Sequence, residues 1–291
     1  MTPLLTLLTP LPLPRQGIVT LADAHYFPGL LLLYHSIQEV YPLPMVCFNL
    51  GISAEQCQWA EKHLPHLIIR PIPDIPIIRT IRAKADNGPL RKVGKRQWPL
   101  WICPHLIAES PFQKVFWLDC DIVVLRRLNE LFSMLEDGPV FTPENNAPHK
   151  TPNSSELYQL LPIERDFDPL LPTLNGGVSG WDLKRDRNLL EFYQYPINQG
   201  FLVNERIREA ISWHDQGALI WAVQNAGMED RVMSSTEWNL CVKHTAAFKK
   251  PYLFTPPYHW DPDILEQLRQ DAPEANLLHW NGTQVPWLIG K

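Results

Sequence analysis

The stretch Val115-Phe116-Trp117-Leu118-Asp119-Cys120-Asp121-Ile122-Val123-Val124 sets two carboxylates between apolar runs. Two acids beside a buried strand are costly unless something compensates them. A hard divalent cation does so, because oxygen ligands suit Mg²⁺ or Mn²⁺. Strand alternation would aim Asp119 and Asp121 to one side of the backbone and at one ion. Asp-x-Asp alone is common; the flanking Trp-Leu and Ile-Val-Val make metal binding the expectation here.

Other residues bear on the same chemistry. Asn175-Gly176-Gly177 lets backbone approach a ligand closely, or makes a tight turn. Asp215-Gln216 stands at the start of a helix-like run, where an acid also complements the helix dipole. Arg79 to Arg96 carries seven basic residues against Asp86 alone. It reads as a solvated mobile loop or as a basic lid over an anionic ligand, with Lys95 and Arg96 as candidates to reach phosphates.

The elements that must position these groups alternate in type. Gly17 to Ala22, Met45 to Leu50, Leu67 to Arg70 and Lys114 to Leu118 read as strands. Phe27 to Val40 and Ser53 to His63 read as helices, the second with Ser53 and Gln56 as a capping box. This order predicts an α/β fold with a mostly parallel sheet flanked by helices and ligands at the strands' carboxyl ends. Pro99 to Ala108 also looks helical. Asn145 to Pro172 is polar and proline-rich and reads as a long surface excursion. Leu174 to Leu183, Arg187 to Tyr195 and His214 to Asn225 return to order, and Asn276 to Trp287 reads as a strand and a turn. Residues 1–16 read as a proline-rich N-terminal segment, unlike a signal peptide, before a single domain over 17–291.

Composition narrows the class. The chain has 291 residues, enough for one large domain, and a net charge of −5, which excludes a nucleic-acid binder relying on bulk charge. The five cysteines show no C-x-x-C pair, so they suggest neither a zinc knuckle nor a disulfide frame, and they fit the cytosol. No stretch is long and apolar enough to span a bilayer, although a peripheral membrane position stays compatible with the sequence. Haloacid-dehalogenase-type phosphatases use Asp-x-Asp too, but near the N-terminus and before a Gly-Thr turn. Nucleotidyltransferases need a glycine-rich loop after the first strand, where this chain has Asp23-Ala24-His25-Tyr26.

Four blocks, in order, resemble glycosyltransferase family 8, the group of glycogenin and the lipopolysaccharide galactosyltransferases. They are Val19 to Tyr26, Asp119-Cys120-Asp121, Leu174 to Val178, and Leu278 to Trp287. The resemblance implies a GT-A fold and transfer of a hexose from a UDP-sugar donor to a sugar, lipid or protein acceptor, with retention. It implies that Asp23 reads the uracil edge and Tyr26 stacks on the base; a helix cap and a core tyrosine are the alternative. It further implies that Asn175, Gly176, Gly177 and Gly282 line the donor pocket. Asp215 and Gln216 would stand near the anomeric carbon, and His279 would join Asp119 and Asp121 on the metal. An imidazole beside two carboxylates fits Mn²⁺ better than Mg²⁺. Val285 stands where the family has a lysine facing the diphosphate, so Lys95, Arg96 or Lys291 must compensate, or the chain binds nucleotide-sugars or glycans without transferring them. The excursions at Asn145 to Pro172 and Pro196 to Trp213 are the expected acceptor walls.

Overall fold

The computed structural model describes residues 14–87, 98–144, 153–166, 173–234, 236–242, 252–254, 260–280 and 287–289. The first half is built as β1 (Gln16–Asp23), α1 (Phe27–Val40), β2 (Met45–Gly51), α2 (Ala54–His63), β3 (Leu67–Pro71), α3 (Pro76–Asn87), α4 (Cys103–Ala108) and β4 (Lys114–Leu118). There follow β5 (Ile122–Val124), α5 (Leu128–Met134), β6 (Val140–Pro143), α6 (Ser155–Leu160), β7 (Leu174–Asp182), α7 (Arg187–Leu202), α8 (Glu205–Ala210) and α9 (Asp215–Ala226). The chain then adds β8 (Leu240–Cys241), β9 (Tyr252–Phe254), α10 (Asp263–Asp271), β10 (Leu277–His279) and β11 (Trp287–Ile289).

Six strands form the main sheet in the order β3-β2-β1-β4-β7-β6. β1 pairs parallel with β2 and β4, and β2 with β3; β7 alone runs against its neighbours. The chain builds outward from β1 through β2 and β3, then returns to place β4 on the other side of β1. That reversal opens a crevice at the carboxyl ends of β1 and β4, where open α/β sheets bind ligands. Asp23 ends one of these strands, and Asp119 follows the other.

Pleating sorts the side chains of β4. Val115 and Trp117 pack into the core beneath α4, α7 and α9, while Phe116 and Leu118 pack into the core beneath α1. Burying each such side chain contributes about 1.5–3 kcal/mol. Ser53 and Gln56 close the predicted capping box at the start of α2.

Four expectations change. The basic run is not one loop: its first part lies in α3, where the Arg79 guanidinium meets Asp74 at 2.9 Å and the Lys84 ammonium donates to the Phe201 carbonyl at 2.5 Å. Pro99 to Ala108 is split into a 3-10 turn (Trp98–Trp101) and α4, whose first turn holds Pro104. The 145–172 excursion contains α6, because Ser154 caps it and Leu157 is fully buried. Helix α7 continues through Pro196 to Leu202. Ile197, Gly200 and Phe201 are buried beyond the proline, and that packing outweighs the lost helical bond.

Candidate active site

The Asp119 and Asp121 carboxylates converge by a route that alternation did not foresee. β4 ends at Leu118, and residues 119–121 form a tight turn closed by the Ile122 N–H donating to the Asp119 carbonyl at 3.0 Å. The turn, rather than a strand, swings both acids to one side. β5 then pairs antiparallel with β10, setting His279 opposite Ile122, and the Trp280 N–H donates to the Asp121 carbonyl at 3.1 Å. His279 Nε2 thereby lies 3.3 Å from Asp121 Oδ1 and 3.7 Å from Asp119 Oδ2. One ligand atom from each of the three residues falls within 4.8 Å of the others.

The donor set suits a divalent ion. Asn239 Oδ1 sits 2.9 Å from His279 Nδ1, and the Asn239 amide donates to Thr142 Oγ1 at 3.0 Å, which fixes the way the amide faces. Nδ1 therefore carries the proton, and Nε2 presents its lone pair to the carboxylates. The Trp117 indole N–H donates to Asp119 Oδ1 at 2.9 Å, leaving Oδ2 turned toward the imidazole. Burial and then Asp121 raise the Asp119 carboxyl, against the opposing pull of His279 and Trp117. Burial acts to lower the His279 pKa, but Asp121 and Asp119 more than offset it and leave it raised. The cluster thus draws positive charge to its centre, as a proton on the imidazole or as a metal ion.

β7 ties this cage to a second group. It pairs with β4 so that the Asp119 N–H donates to the Gly177 carbonyl at 2.9 Å. A Cβ on Gly177 would stand 2.5 Å from His279 Cε1 and 2.8 Å from Asp119 Oδ2, so the cage closes only against a glycine. The next residue back, Gly176, faces Asp215 and Gln216: its N–H donates to Gln216 Oε1 at 3.4 Å. Asn175 Oδ1 accepts from the Gly177 N–H at 2.9 Å, and its amide donates to the buried Glu144 carboxylate at 2.7 Å. One dipeptide therefore touches the Asp119–Asp121–His279 group and the acid-amide pair at once.

Asp215 opens α9, and the Tyr193 hydroxyl donates to its Oδ2 at 3.1 Å. Burial, and next Asp119, push Asp215 up to about 7, against the hydrogen bonds from Tyr193, the Gln216 N–H and Cys103. Trp213 and His214 hold positive φ angles of 55° and 59°. Two such residues in succession, neither a glycine, store backbone strain at the entrance to this helix.

At the end of β1, Asp23 Oδ1 accepts from the N–H groups of His25 and Tyr26 at 2.9 and 3.0 Å. That carboxylate shapes the loop presenting Tyr26. Burial, then the neighbouring Asp121, Cys120, Asp23 and Asp119, raise the Tyr26 phenol. A cavity of about 640 Å³ lined by Gln16 and Lys114 opens at the amino ends of β1 and β4, the far end of the sheet from this cluster.

Among solved structures, the chain is similar to the galactosyltransferase LgtC in complex with donor and acceptor sugar analogues. The TM-score is 0.56 at 16% identity, covering 94% of this chain and 89% of that one. An active-site mutant of LgtC matches at TM-score 0.55 and 15% identity, covering 91% and 87%. The bifunctional glycosyltransferase WbbM, in its apo form, matches at 0.54 and 13%, covering 94% of this chain and 46% of that one. The chain has the GT-A glycosyltransferase fold. No family model and no curated protein matches the sequence.

Within the GT-A frame, Asp23, Tyr26, Asp119, Asp121, Asn175, Gly176, Gly177, Asp215, Gln216 and His279 gather around the crevice. Lys95, Arg96, Gly282, Val285 and Lys291 lie outside the described residues. Sequence reasoning missed Asn239, Glu144 and Tyr193, which orient His279, Asn175 and Asp215. None stands in a local pattern that marks it. Trp117 was visible as the aromatic two residues before Asp119.

Proposed function

We propose that this chain is a metal-dependent glycosyltransferase that moves a hexose from a UDP-linked donor to a hydroxyl of a sugar, lipid or protein acceptor, with retention. The observation that carries the reading is the Asp119, Asp121 and His279 cage, one glycine away from Asp215 and Gln216, at the switch point of a GT-A sheet. An ion held there, Mn²⁺ in preference to Mg²⁺ because of the imidazole, would neutralise charge growing on the leaving diphosphate.

The chain's own residues supply the rest. Tyr26 gives the uracil a flat face, and Asp23 accepts from its edge. Asn175, Gly176, Gly177 and Gly282 line the sugar, where missing side chains let backbone come close. Lys95 and Arg96 stand for the diphosphate in place of the lysine that Val285 replaces. The Asp215 carboxylate and Gln216 carbonyl meet positive charge on the anomeric carbon. Retention follows from attack on the departing face or from a covalent step at Asp215. No helix among the described residues is long and apolar enough to cross a membrane. None of the five cysteines is in a disulfide, which suits the reducing cytosol, with the chain free there or peripheral to a membrane.

The test is UDP release from a panel of UDP-sugars with and without Mn²⁺. Release should require the ion and should vanish in Asp119→Ala and Asp121→Ala. Metal-dependent turnover surviving in both variants would refute the metal assignment. Donor binding with no release at any Mn²⁺ concentration would reassign the chain as a nucleotide-sugar binder.

A further inference from the structure

Tyr193 and Tyr195 sit two residues apart on α7 and so face different ways. Tyr193 reaches Asp215, whereas Tyr195 borders an open groove of about 540 Å³ between α7, α9 and the segment after α6. Tyr195 stacks on the buried Trp221 ring at 5.8 Å and 27°. Phe192, three residues back on the same helical face, extends this platform. The two α7 rings are 43% and 39% exposed, unusual for large aromatics on a helix with a well-packed inner face.

The rim is polar and held in place. Arg165 Nη1 donates to the Gln224 carbonyl and to Glu229, both at 2.6 Å, and Glu164 and Asn225 stand beside it. The Trp221 indole donates to the Leu161 carbonyl at 3.0 Å, fixing the floor to one wall. Pro196 has no N–H to offer the Phe192 carbonyl, so the platform's edge carries an acceptor without its usual helical donor.

This combination selects a ligand. A lipid tail or an apolar helix would strip water from Glu164 and from the Arg165–Glu229 pair while offering neither a polar partner, which is costly. A small anion meets an arginine already paired with Glu229 and a neighbouring glutamate. A pyranose ring fits both parts, because its C–H face packs on an aromatic ring while its hydroxyls bond a polar rim. We infer that this groove is a second sugar-binding site, which takes a neutral oligosaccharide chain across Tyr195 and Phe192. Trp221 lies six residues along α9 from Asp215, about 9 Å of helix. The groove therefore suits the distal part of a glycan acceptor, and this last step rests on the transferase reading.

The experiment titrates maltohexaose, cellohexaose and xylohexaose into the full chain with EDTA present and no donor, by calorimetry. At least one should bind with Kd of about 1 mM or tighter. Tyr195→Ala should weaken it about tenfold, and Phe192→Ser should act in the same direction, with circular dichroism unchanged. Tyr195→Phe, which keeps the platform, should bind within about threefold of the parent. Asp119→Ala should bind like the parent. The inference is overturned if no probe saturates, or if Tyr195→Ala and Phe192→Ser both bind normally. It is also overturned if Asp119→Ala alone loses the sugar. A self-associating parent that Phe192→Ser converts to monomers in sedimentation would assign the groove to a second copy instead. Sugar binding that persists without any UDP release would leave the groove standing and remove only the transferase reading.

Discussion

Gly177→Ala adds a single methyl group at the most crowded point of the Asp119–Asp121–His279 cage. That carbon would stand 2.5 Å from His279 Cε1, 2.8 Å from Asp119 Oδ2 and 2.9 Å from Asn175 Oδ1. Carbon atoms pack comfortably at about 3.5–4.0 Å, so the imidazole must retreat by about 1 Å. Metal ligands tolerate displacements of only about 0.2 Å. His279 has nowhere to go, because Asn239 holds its other nitrogen and β10 is pinned between β5 and β8. Overpacking should lower folding stability by about 1–3 kcal/mol. Mn²⁺ affinity should fall by at least about 10–100-fold, the loss typical when only a supporting residue is removed. Mn²⁺ titration followed by electron paramagnetic resonance measures the affinity, and urea unfolding in EDTA measures the stability. Gly176→Ala is the internal control: its methyl would meet Asp215 Oδ2 at 3.4 Å and Gln216 at 3.6 Å, so ion affinity should stay near that of the parent. Parent-like Mn²⁺ affinity in Gly177→Ala would show that the ion does not sit among these three side chains.

Three further outcomes follow from the same geometry. Asn239→Ala frees the His279 ring and should weaken Mn²⁺ binding about 10–100-fold with little change in the fold; an unchanged affinity would show that the hydrogen bond does not orient the ligand. Asp215 holds its proton up to about pH 7 in the folded, metal-free chain, against an ordinary value of 3.8. A raised acid favours folding at low pH, so stability in EDTA should decline from about pH 4 to pH 7 and then level. Asp215→Asn should flatten that slope in urea titrations at stepped pH, and an equal slope in both proteins would refute the shift. Ser53→Ala removes one half of the α2 capping box and should cost about 1 kcal/mol in chemical unfolding without altering Mn²⁺ affinity.

The parts of the molecule that were legible in the sequence are those set by local chemistry. Ser53 and Gln56 announced the start of α2, and the apolar runs around Val19, Val46 and Val115 announced the parallel strands. Asp119, Asp121 and His279, singled out through the order of the blocks, lie together, although the two acids converge through a turn and not through strand alternation. What escaped was tertiary. Asn239 reaches His279 because β8 lies parallel to β10, and Glu144 reaches Asn175 because β6 runs beside β7. No spacing rule reports a pairing between distant strands. The ordered segment expected over Arg187 to Tyr195 fell short because packing of Ile197 and Phe201 carries α7 through Pro196.

The pairing of β5 with β10 has a consequence for how the protein is made. Asp119 and Asp121 leave the ribosome long before His279, and the strand that carries the histidine lies between two others that must already be in place. Such remote pairing is slow to form. A growing chain can expose the two acids but cannot complete the three-sided group until β10 has been translated. Any ion that these three residues hold can be gripped by all of them only after β10 has been made.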